Sequence, residues 1–412
     1  MEKVKHETKL LHSSYPQPDA YGALSMPVYH SAAYEFKSAE QMELAFTGQS
    51  ADHVYSRITN PTVQHFENKV QSITGALSVT ALNSGMAAIA NAIITLSKAG
   101  SNIVTSRHLF GNTYSLFVST LSAFGIETRF CDLTVPGAVE AQINHDTCAV
   151  FLEIITNPQL EVADLQALSA VCKSKNVPLL ADTTIIPFCA FNAKAHGVDI
   201  ELVSSTKYIS GGATSLGGII IDYGTYNWMN SPKLLPIAKE VGNNLAFTSK
   251  LRKEIHRNMG AYMTPHVAYM QTLGLETLAL RYEKSSRSCY ELALVVEKLP
   301  QVACINYPTL GDNKFAEVSK RQFGEYPGAM FTFDLESREA CFAFLNKLQL
   351  IKRATNLFDN KSLAIHPAST IFGNFTPDAR KLMHVYDTTI RMSVGLENTN
   401  DLLEDIKQAL EN

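Results

Sequence analysis

Residues 177–208 read VPLLADTTIIPFCAFNAKAHGVDIELVSSTKY. Two short apolar runs, VPLLAD (177–182) and ELVSST (201–206), stand within this stretch, and each leads into a charged residue. Asp182 closes the first and Lys207 follows the second, 25 positions later. The runs are continuous rather than alternating, as expected of strands covered on both faces. Similar runs occur at NIVTS (102–106), ETRFCD (127–132), CAVFLE (148–153) and GGIIID (217–222). Helical stretches lie between or before them: VQHFENKVQSIT (63–74), GMAAIANAIITLSKAG (85–100) and EVADLQALSAVCKSKNV (161–177). In the last, Val162, Leu165, Leu168 and Val171 mark one apolar face. Strands alternating with helices specify an α/β fold with a mainly parallel sheet. In such sheets ligands bind at the carboxyl ends of the strands, which is where Asp182 and Lys207 both stand.

The 412 residues are too many for one ordinary core and predict unequal domains. Residues 1–60 are rich in Ser, Tyr, Pro and Gly with little periodicity and read as an extended arm rather than a domain, of a kind that often packs on a neighbouring subunit. Residues 61–250 carry the alternating pattern. Residues 251–412 read as a smaller α+β domain, with a long helical stretch (264–299), the runs GAMFTFDL (328–335), LQLIKRATN (348–356) and TIRMSVGL (389–396), and a closing helix from Asn400. Hydrophobic content of 46% and charged content of 18% fit a globular protein with much buried surface, part of it between subunits. The net charge of −4 leaves no footprint for nucleic acid. No apolar run reaches ~18 residues, and none has the form of a signal peptide. The seven cysteines are odd in number and form no CxxC, and the twelve histidines show no pair at metal-ligand spacing. Disulfides and metals are therefore not expected, and the cytoplasm is the expected compartment.

NSGMAAIANAI (83–93) opens a helix behind Asn83, Ser84 and Gly85. A helix start offers free N–H groups and a positive dipole end, which suit a phosphate, and Gly85 lets a ligand approach the backbone. Taken alone, ordinary capping by Asn83 or Ser84 is the simpler account. A carboxylate buried at a strand end, as at Asp182, needs a strong partner. The pyridinium nitrogen of pyridoxal phosphate is one; the cap of the next turn is another. A lysine amine condenses with an aldehyde cofactor, and burial lowers its pKa toward the nucleophilic form. Ser204 and Thr206 beside Lys207 are donors for a phosphate, and Gly211 and Gly212 permit a tight turn. Phosphate cradle, nitrogen partner and Schiff-base lysine then occur in a consistent order and make one cofactor site. FGNTY (110–114) offers Tyr114 as a ring to stack on a planar cofactor or simply to pack. YSRITNPT (55–62) offers Tyr55 and Arg57 to an anion, or an exposed loop arginine. TIRMSVGLE (389–397) places Arg391 in a strand, where it wants a carboxylate: a ligand's, or that of Glu397.

SSTKY (204–208), YSRITNPT, NSGMAA (83–88), FGNTY, LEIITNP (152–158), ADTT (181–184), HPAST (366–370) and IRMSVGLE (390–397) occur in the order seen in the Cys/Met-metabolism family of pyridoxal-phosphate enzymes, which this chain resembles over nearly its whole length. The resemblance implies the fold-type I aminotransferase-like architecture and a homotetramer of paired dimers with shared active sites. It makes Lys207 the Schiff-base lysine, Asp182 the partner of the ring nitrogen and Tyr114 the stacked ring. Ser84, Gly85, Met86, Ser204 and Thr206 become the phosphate cradle, joined by Tyr55 and Arg57 from the neighbouring subunit. Asn157 lies near the cofactor's 3′-oxygen and the substrate carboxylate, and Arg391 clamps that carboxylate. NLFDNKSLAIHPAST (356–370) looks most like the sulfhydrylase version, with Asn356 where many lyases have Ser. Asn112 stands where methionine γ-lyases carry a cysteine, and GGATSLGG (211–218) resembles the sulfhydrylase pattern. The expected reaction is γ-replacement, O-acetyl-L-homoserine plus sulfide or a thiol giving homocysteine or methionine, with Tyr114 or Tyr55 assisting proton transfer. The alternative is a methionine or cystathionine γ-lyase. Gly212 replaces a usual His, Phe358 a usual Gly, and Ile371–Phe372 a usual Thr-His pair, all at or near the substrate side.

Overall fold

A computed structural model describes residues 4–12 and 21–411; the rest of the expected arm, and Asn412 of the closing helix, lie outside the described residues. Two sheets organise the chain. The first has seven strands: β1 (Ser78–Leu82), β2 (Asn102–Thr105), β3 (Glu127–Phe130), β4 (Thr147–Glu153), β5 (Leu179–Asp182), β6 (Ile200–Val203) and β7 (Gly218–Asp222), in the spatial order β1-β7-β6-β5-β4-β2-β3. Strands β2 to β6 pair in parallel, and β7 runs antiparallel to both its neighbours. β1 therefore runs in the same direction as β6, and the carboxyl ends of β1, β4, β5 and β6 share one edge. Every apolar run singled out in this part of the sequence is a strand. Except for the edge strand β3, which is exposed or half-buried throughout, they are largely buried because helices cover both faces: Phe151, Leu180 and Leu202 pack into one cluster with Ile89 and Ile93, while Val150, Leu179 and Ala181 pack into the other with Leu165 and Leu168.

The second sheet has five strands: β8 (Cys304–Asn306), β9 (Met330–Asp334), β10 (Lys352–Arg353), β11 (Leu363–Ile365) and β12 (Thr389–Ser393), in the order β10-β11-β12-β9-β8. β12 lies inside this sheet, with Arg391 opposite Ile365 on one side and Thr332 on the other. The long helical stretch from 264 is two helices, Pro265–Glu276 and Leu278–Val296, broken at Thr277. The segment read as an extended arm contains short helices at His6–Leu11 and Ala39–Phe46. It is tied to the larger sheet's first helix, Pro61–Thr74: Asn60 caps that helix through its Oδ1 and donates from Nδ2 to the Tyr29 carbonyl, and Thr62 Oγ1 donates to the Pro27 carbonyl. Among the described residues no helix is long and apolar enough to cross a membrane.

Candidate active site

The shared edge of β1, β4, β5 and β6 opens into a cavity of about 910 Å³. The helix Gly85–Leu96 starts there, capped by Ser84, whose Oγ accepts from Ala87 N at 3.1 Å. A Cβ built on Gly85 would lie 2.6 Å from Ser204 Cβ, so the helix start and the end of β6 meet in a way only glycine allows. The N–H groups of the first turn have no acceptor within the helix, and Ser84, Gly85 and Met86 line the cavity beside Ser204 and Thr206. Thr206 Oγ1 is also engaged with the backbone of Gly217, accepting from its N at 3.0 Å.

Asp182 and Lys207 line the same cavity. Asp182 Oδ1 accepts from Thr184 N at 2.9 Å. Burial raises the Asp182 pKa, against the lowering effect of the Thr184 bonds and of Lys207. Lys207 Nζ donates to Asn356 Oδ1 at 2.8 Å. Burial, helped by the positive charge of Arg391, lowers the Lys207 pKa to about 8, against the pull of Asp182 and Asp359. Arg391 is 2% exposed. Its Nη1 donates to Asn157 Oδ1 at 3.1 Å, and its Nη2 reaches the carbonyls of Thr355 and Asn356 at 3.4 Å. Its Nε is buried with no partner, and burial lowers the guanidinium pKa to about 9. Glu397, the alternative partner raised by the sequence, accepts instead from the N and Oγ of Ser362. Among the described residues no carboxylate forms an ion pair with Arg391.

Two buried carboxylates escaped the sequence reading. Glu153 ends β4 opposite Asp182 and accepts from Phe110 N at 2.6 Å and Asn157 N at 3.2 Å. It thereby holds both the loop after β2 and the loop that supplies Asn157. Burial, with Asp182 adding repulsion, pushes its pKa up to about 8. Glu201 on β6, bonded by Thr183 Oγ1 at 2.5 Å and by the Tyr223 hydroxyl, is pushed up by burial to about 7. A glutamate at the end of CAVFLE carried the same signal as Asp182 at the end of VPLLAD.

Three expected residues lie elsewhere. Tyr114 does not line the cavity: its ring stacks on Phe130 at 5.4 Å and meets the edge of Phe375 at 5.6 Å. Tyr55 is 42% exposed. Arg57 lies over the Tyr55 ring at 5.5 Å and donates from Nη1 to the Arg257 carbonyl at 2.5 Å. Of the four departures from the family pattern, two sit at the cavity, while Gly212 and Phe372 do not line it. Phe358 and Ile371 line it, and Phe358 holds φ at 55°, the left-handed region a glycine adopts freely. Its ring is fixed there by stacking on Tyr208 at 4.4 Å.

A helix start that admits no side chain, a carboxylate at a strand end, a depressed lysine amine and a buried, unpaired guanidinium in one cavity suit a cofactor with a phosphate, a basic ring nitrogen and an aldehyde. The chain belongs to the family described as Cys/Met metabolism PLP-dependent enzyme, which matches residues 7–411, and its cofactor is pyridoxal phosphate. The O-acetyl-L-homoserine sulfhydrylase of Leptospira meyeri is 33% identical over 99% of this chain and 97% of its own. Among solved structures, a protein of Campylobacter jejuni described as an O-acetylhomoserine (thiol)-lyase superposes with a TM-score of 0.94 at 32% identity, over 99% of this chain and all of the other. That protein carries an N′-pyridoxyl-lysine-5′-monophosphate. The O-acetylhomoserine sulfhydrylase of Wolinella succinogenes is 47% identical, with a TM-score of 0.77 over 86% of this chain and 99% of its own. The α/β architecture expected from the resemblance is thus the one this chain has.

Proposed function

We propose that this chain is an O-acetyl-L-homoserine sulfhydrylase, which replaces the acetate on Cγ of O-acetyl-L-homoserine by sulfide or a thiol to give homocysteine or methionine. The observation that carries the reading is Arg391, a buried guanidinium with an unpartnered Nε, lining the same cavity as the Lys207 amine. The names of the Leptospira and Wolinella relatives support the choice of reaction.

Pyridoxal phosphate, when bound, supplies the aldehyde for the substrate amine and a ring that withdraws electrons from Cα. The N–H groups of Gly85 and Met86, with Ser84, Ser204 and Thr206, would hold its phosphate. Asp182 would hold the proton on its ring nitrogen. Arg391 and Asn157 bind the substrate carboxylate, which gives Nε the acceptor it lacks. Lys207 Nζ would remove the proton at Cα and later return it, and Asn356 Oδ1, which accepts from it at 2.8 Å, keeps that amine within reach. The apolar side chains of Ile155, Ile185, Leu357 and Ile371 line the reaction space.

Tyr55 and Arg57 serve the cavity of a neighbouring copy in this proposal. The helix Ala39–Phe46 buries none of its own residues, and Leu24, Met42, Leu44 and Phe46 are exposed on the same segment. Apolar surface of this extent calls for a partner subunit, in keeping with the homotetramer and with the division into arm (1–60), large (61–250) and small (251–412) domains. The stacking ring in this proposal is supplied by the FGNTY segment, where Phe110 lines the cavity while Tyr114 packs on Phe130 and Phe375.

The test is to incubate the holoenzyme with O-acetylhomoserine with and without sulfide or methanethiol, with the O-succinyl ester in parallel, and with methionine alone. Thiol-dependent release of acetate, with homocysteine or methionine as product, is expected. Ammonia and 2-oxobutanoate from methionine alone would make the enzyme a γ-lyase instead.

A further inference from the structure

Outside the cavity, His108, Glu161 and His384 converge. They come from the loop after β2, the loop after β4 and the end of the helix Pro377–Leu382. One ligand atom from each lies within 4.8 Å of the other two. His108 Nδ1 is 2.6 Å from Glu161 Oε2, and the rings of His108 and His384 are 4.5 Å apart. We propose that these three side chains bind a divalent transition-metal ion, zinc by preference, with water in the fourth position. The sequence led to the opposite expectation, because the three residues are far apart in the chain and spacing carries no trace of them.

Two imidazoles, one carboxylate and a water form a recurring tetrahedral donor set for zinc. With bonds of roughly 2.0–2.2 Å the ligand atoms stand about 3.4 Å apart, and the exposed His384 has room to swing in to that distance. A His–Glu pair alone is commonplace. What marks this site is the second imidazole, set against the first by a backbone with φ of 51° at His384, a conformation that costs energy for a residue with a Cβ.

The ion would fasten two parts of the fold that meet at Arg391. Glu161 closes the loop that begins at Thr156 and Asn157: Glu161 N donates to Thr156 Oγ1 at 3.0 Å, and Thr156 N donates to the Glu161 carbonyl at 3.1 Å. Gln159 Nε2 of that loop donates to the carbonyl of Met383 at 2.6 Å, the residue before His384. Zinc at the trio would therefore brace Asn157 against the segment leading into β12.

The experiment uses holoenzyme stripped of adventitious metal with a chelator. Zinc is titrated against a chromophoric competitor, and retained metal is measured after gel filtration. One zinc per chain is expected, with affinity weakened about tenfold or more in His384→Ala and in Glu161→Gln and unchanged in Cys304→Ser, which removes the exposed thiol on the adjoining groove. Zinc should also raise the melting temperature of the wild type and leave that of His384→Ala where it was. Because His384 is exposed, this variant keeps its fold, which circular dichroism verifies. Failure to retain zinc, equal retention by His384→Ala, or loss on Cys304→Ser overturns the proposal.

Discussion

Replacing Gly85 by Ala should weaken cofactor binding well before it threatens the fold. The new Cβ would lie 2.6 Å from Ser204 Cβ, 2.9 Å from Ser204 Oγ and 3.0 Å from Ser204 Cα. Carbon atoms rest about 3.5–4.0 Å apart, so the overlap is about 1 Å. One of the three atoms is backbone, so turning the hydroxyl cannot relieve it. The helix start must therefore move off the end of β6 by a comparable distance. Overpacking of this kind costs about 1–3 kcal/mol, and the better helix propensity of Ala returns up to about 1 kcal/mol. The net loss is within the stability of an ordinary domain. The phosphate feels the shift more, because the N–H groups of Gly85 and Met86 move with the helix. Losing one charge-assisted hydrogen bond of about 1.5–3 kcal/mol weakens binding roughly 10- to 150-fold. Titration of the apoenzyme with pyridoxal phosphate, followed by absorbance, measures this, with the melting temperature of the same samples as control. A double-mutant cycle isolates the cause. In a Ser204→Gly background, which lacks two of the three clashing atoms, the added Gly85→Ala step should cost much less. In a Ser204→Ala background, which keeps Cβ, it should cost nearly as much as in the wild type. Unchanged cofactor affinity in Gly85→Ala, or the same cost in all backgrounds, would refute the reasoning.

Arg391→Lys should raise KM for O-acetylhomoserine about tenfold or more, since a lysine cannot offer the bidentate fork. Arg391→Met should lose activity yet melt close to the wild type, because removing a buried charge that has no counter-ion offsets the lost hydrogen bonds to Asn157 Oδ1 and the Thr355 and Asn356 carbonyls; a large drop in melting temperature would show that those bonds make the guanidinium a structural residue. Lowering of the Lys207 pKa to about 8 means the reactive neutral amine is scarce below that pH and dominant above it. The rate at which apoenzyme captures pyridoxal phosphate should climb about tenfold per pH unit below 8 and level off above it, whereas a rise that continues to pH 10.5 would mean an unperturbed lysine. If Tyr55 and Arg57 serve a neighbouring cavity, Arg57→Ala and Lys207→Ala, each nearly inactive alone, should regain about a quarter of wild-type activity when refolded together in equal amounts, because hybrid dimers contain one intact site. Absence of recovery in verified hybrids would place both residues in the same site.

The larger sheet was most legible where strands are covered on both faces. NIVTS, CAVFLE, VPLLAD and GGIIID are continuous apolar runs because helices leave no solvent-facing side for polar residues to occupy. β1, SVTAL, escaped because its polar Ser78 and Thr80 interrupt the run, although Thr80 is buried. β8, β10 and β11 span two or three residues each, too few for any period to register. The break at Thr277 was hidden for a different reason. The residues on either side are good helix formers, and no Gly or Pro stands at the boundary; only Thr277 itself leaves the helical conformation, with φ −110° and ψ 8°.

Site legibility divided along the same physical line. Asp182, Ser204 and Lys207 end or closely follow strands that were read from the sequence, so predicting the sheet placed them on one edge before any contact was known, whereas Ser84 and Gly85 follow β1 and were legible only as a helix start. Arg391 is the instructive case, because its chemistry was legible and its partner was not. Along the sequence Glu397 is six residues away, close enough for a structural pair. The pairing of β11 with β12 decides against it: Arg391 stands opposite Ile365, while Gly395 N donates to Ser362 Oγ and the chain turns there, bringing Glu397 onto Ser362. A guanidinium so placed is desolvated without a counter-charge, and a purely structural residue has no reason to bear that cost. The cost is recovered only when an anion enters the cavity, and the anion that fits beside Lys207 and Asn157 is the carboxylate of an amino acid.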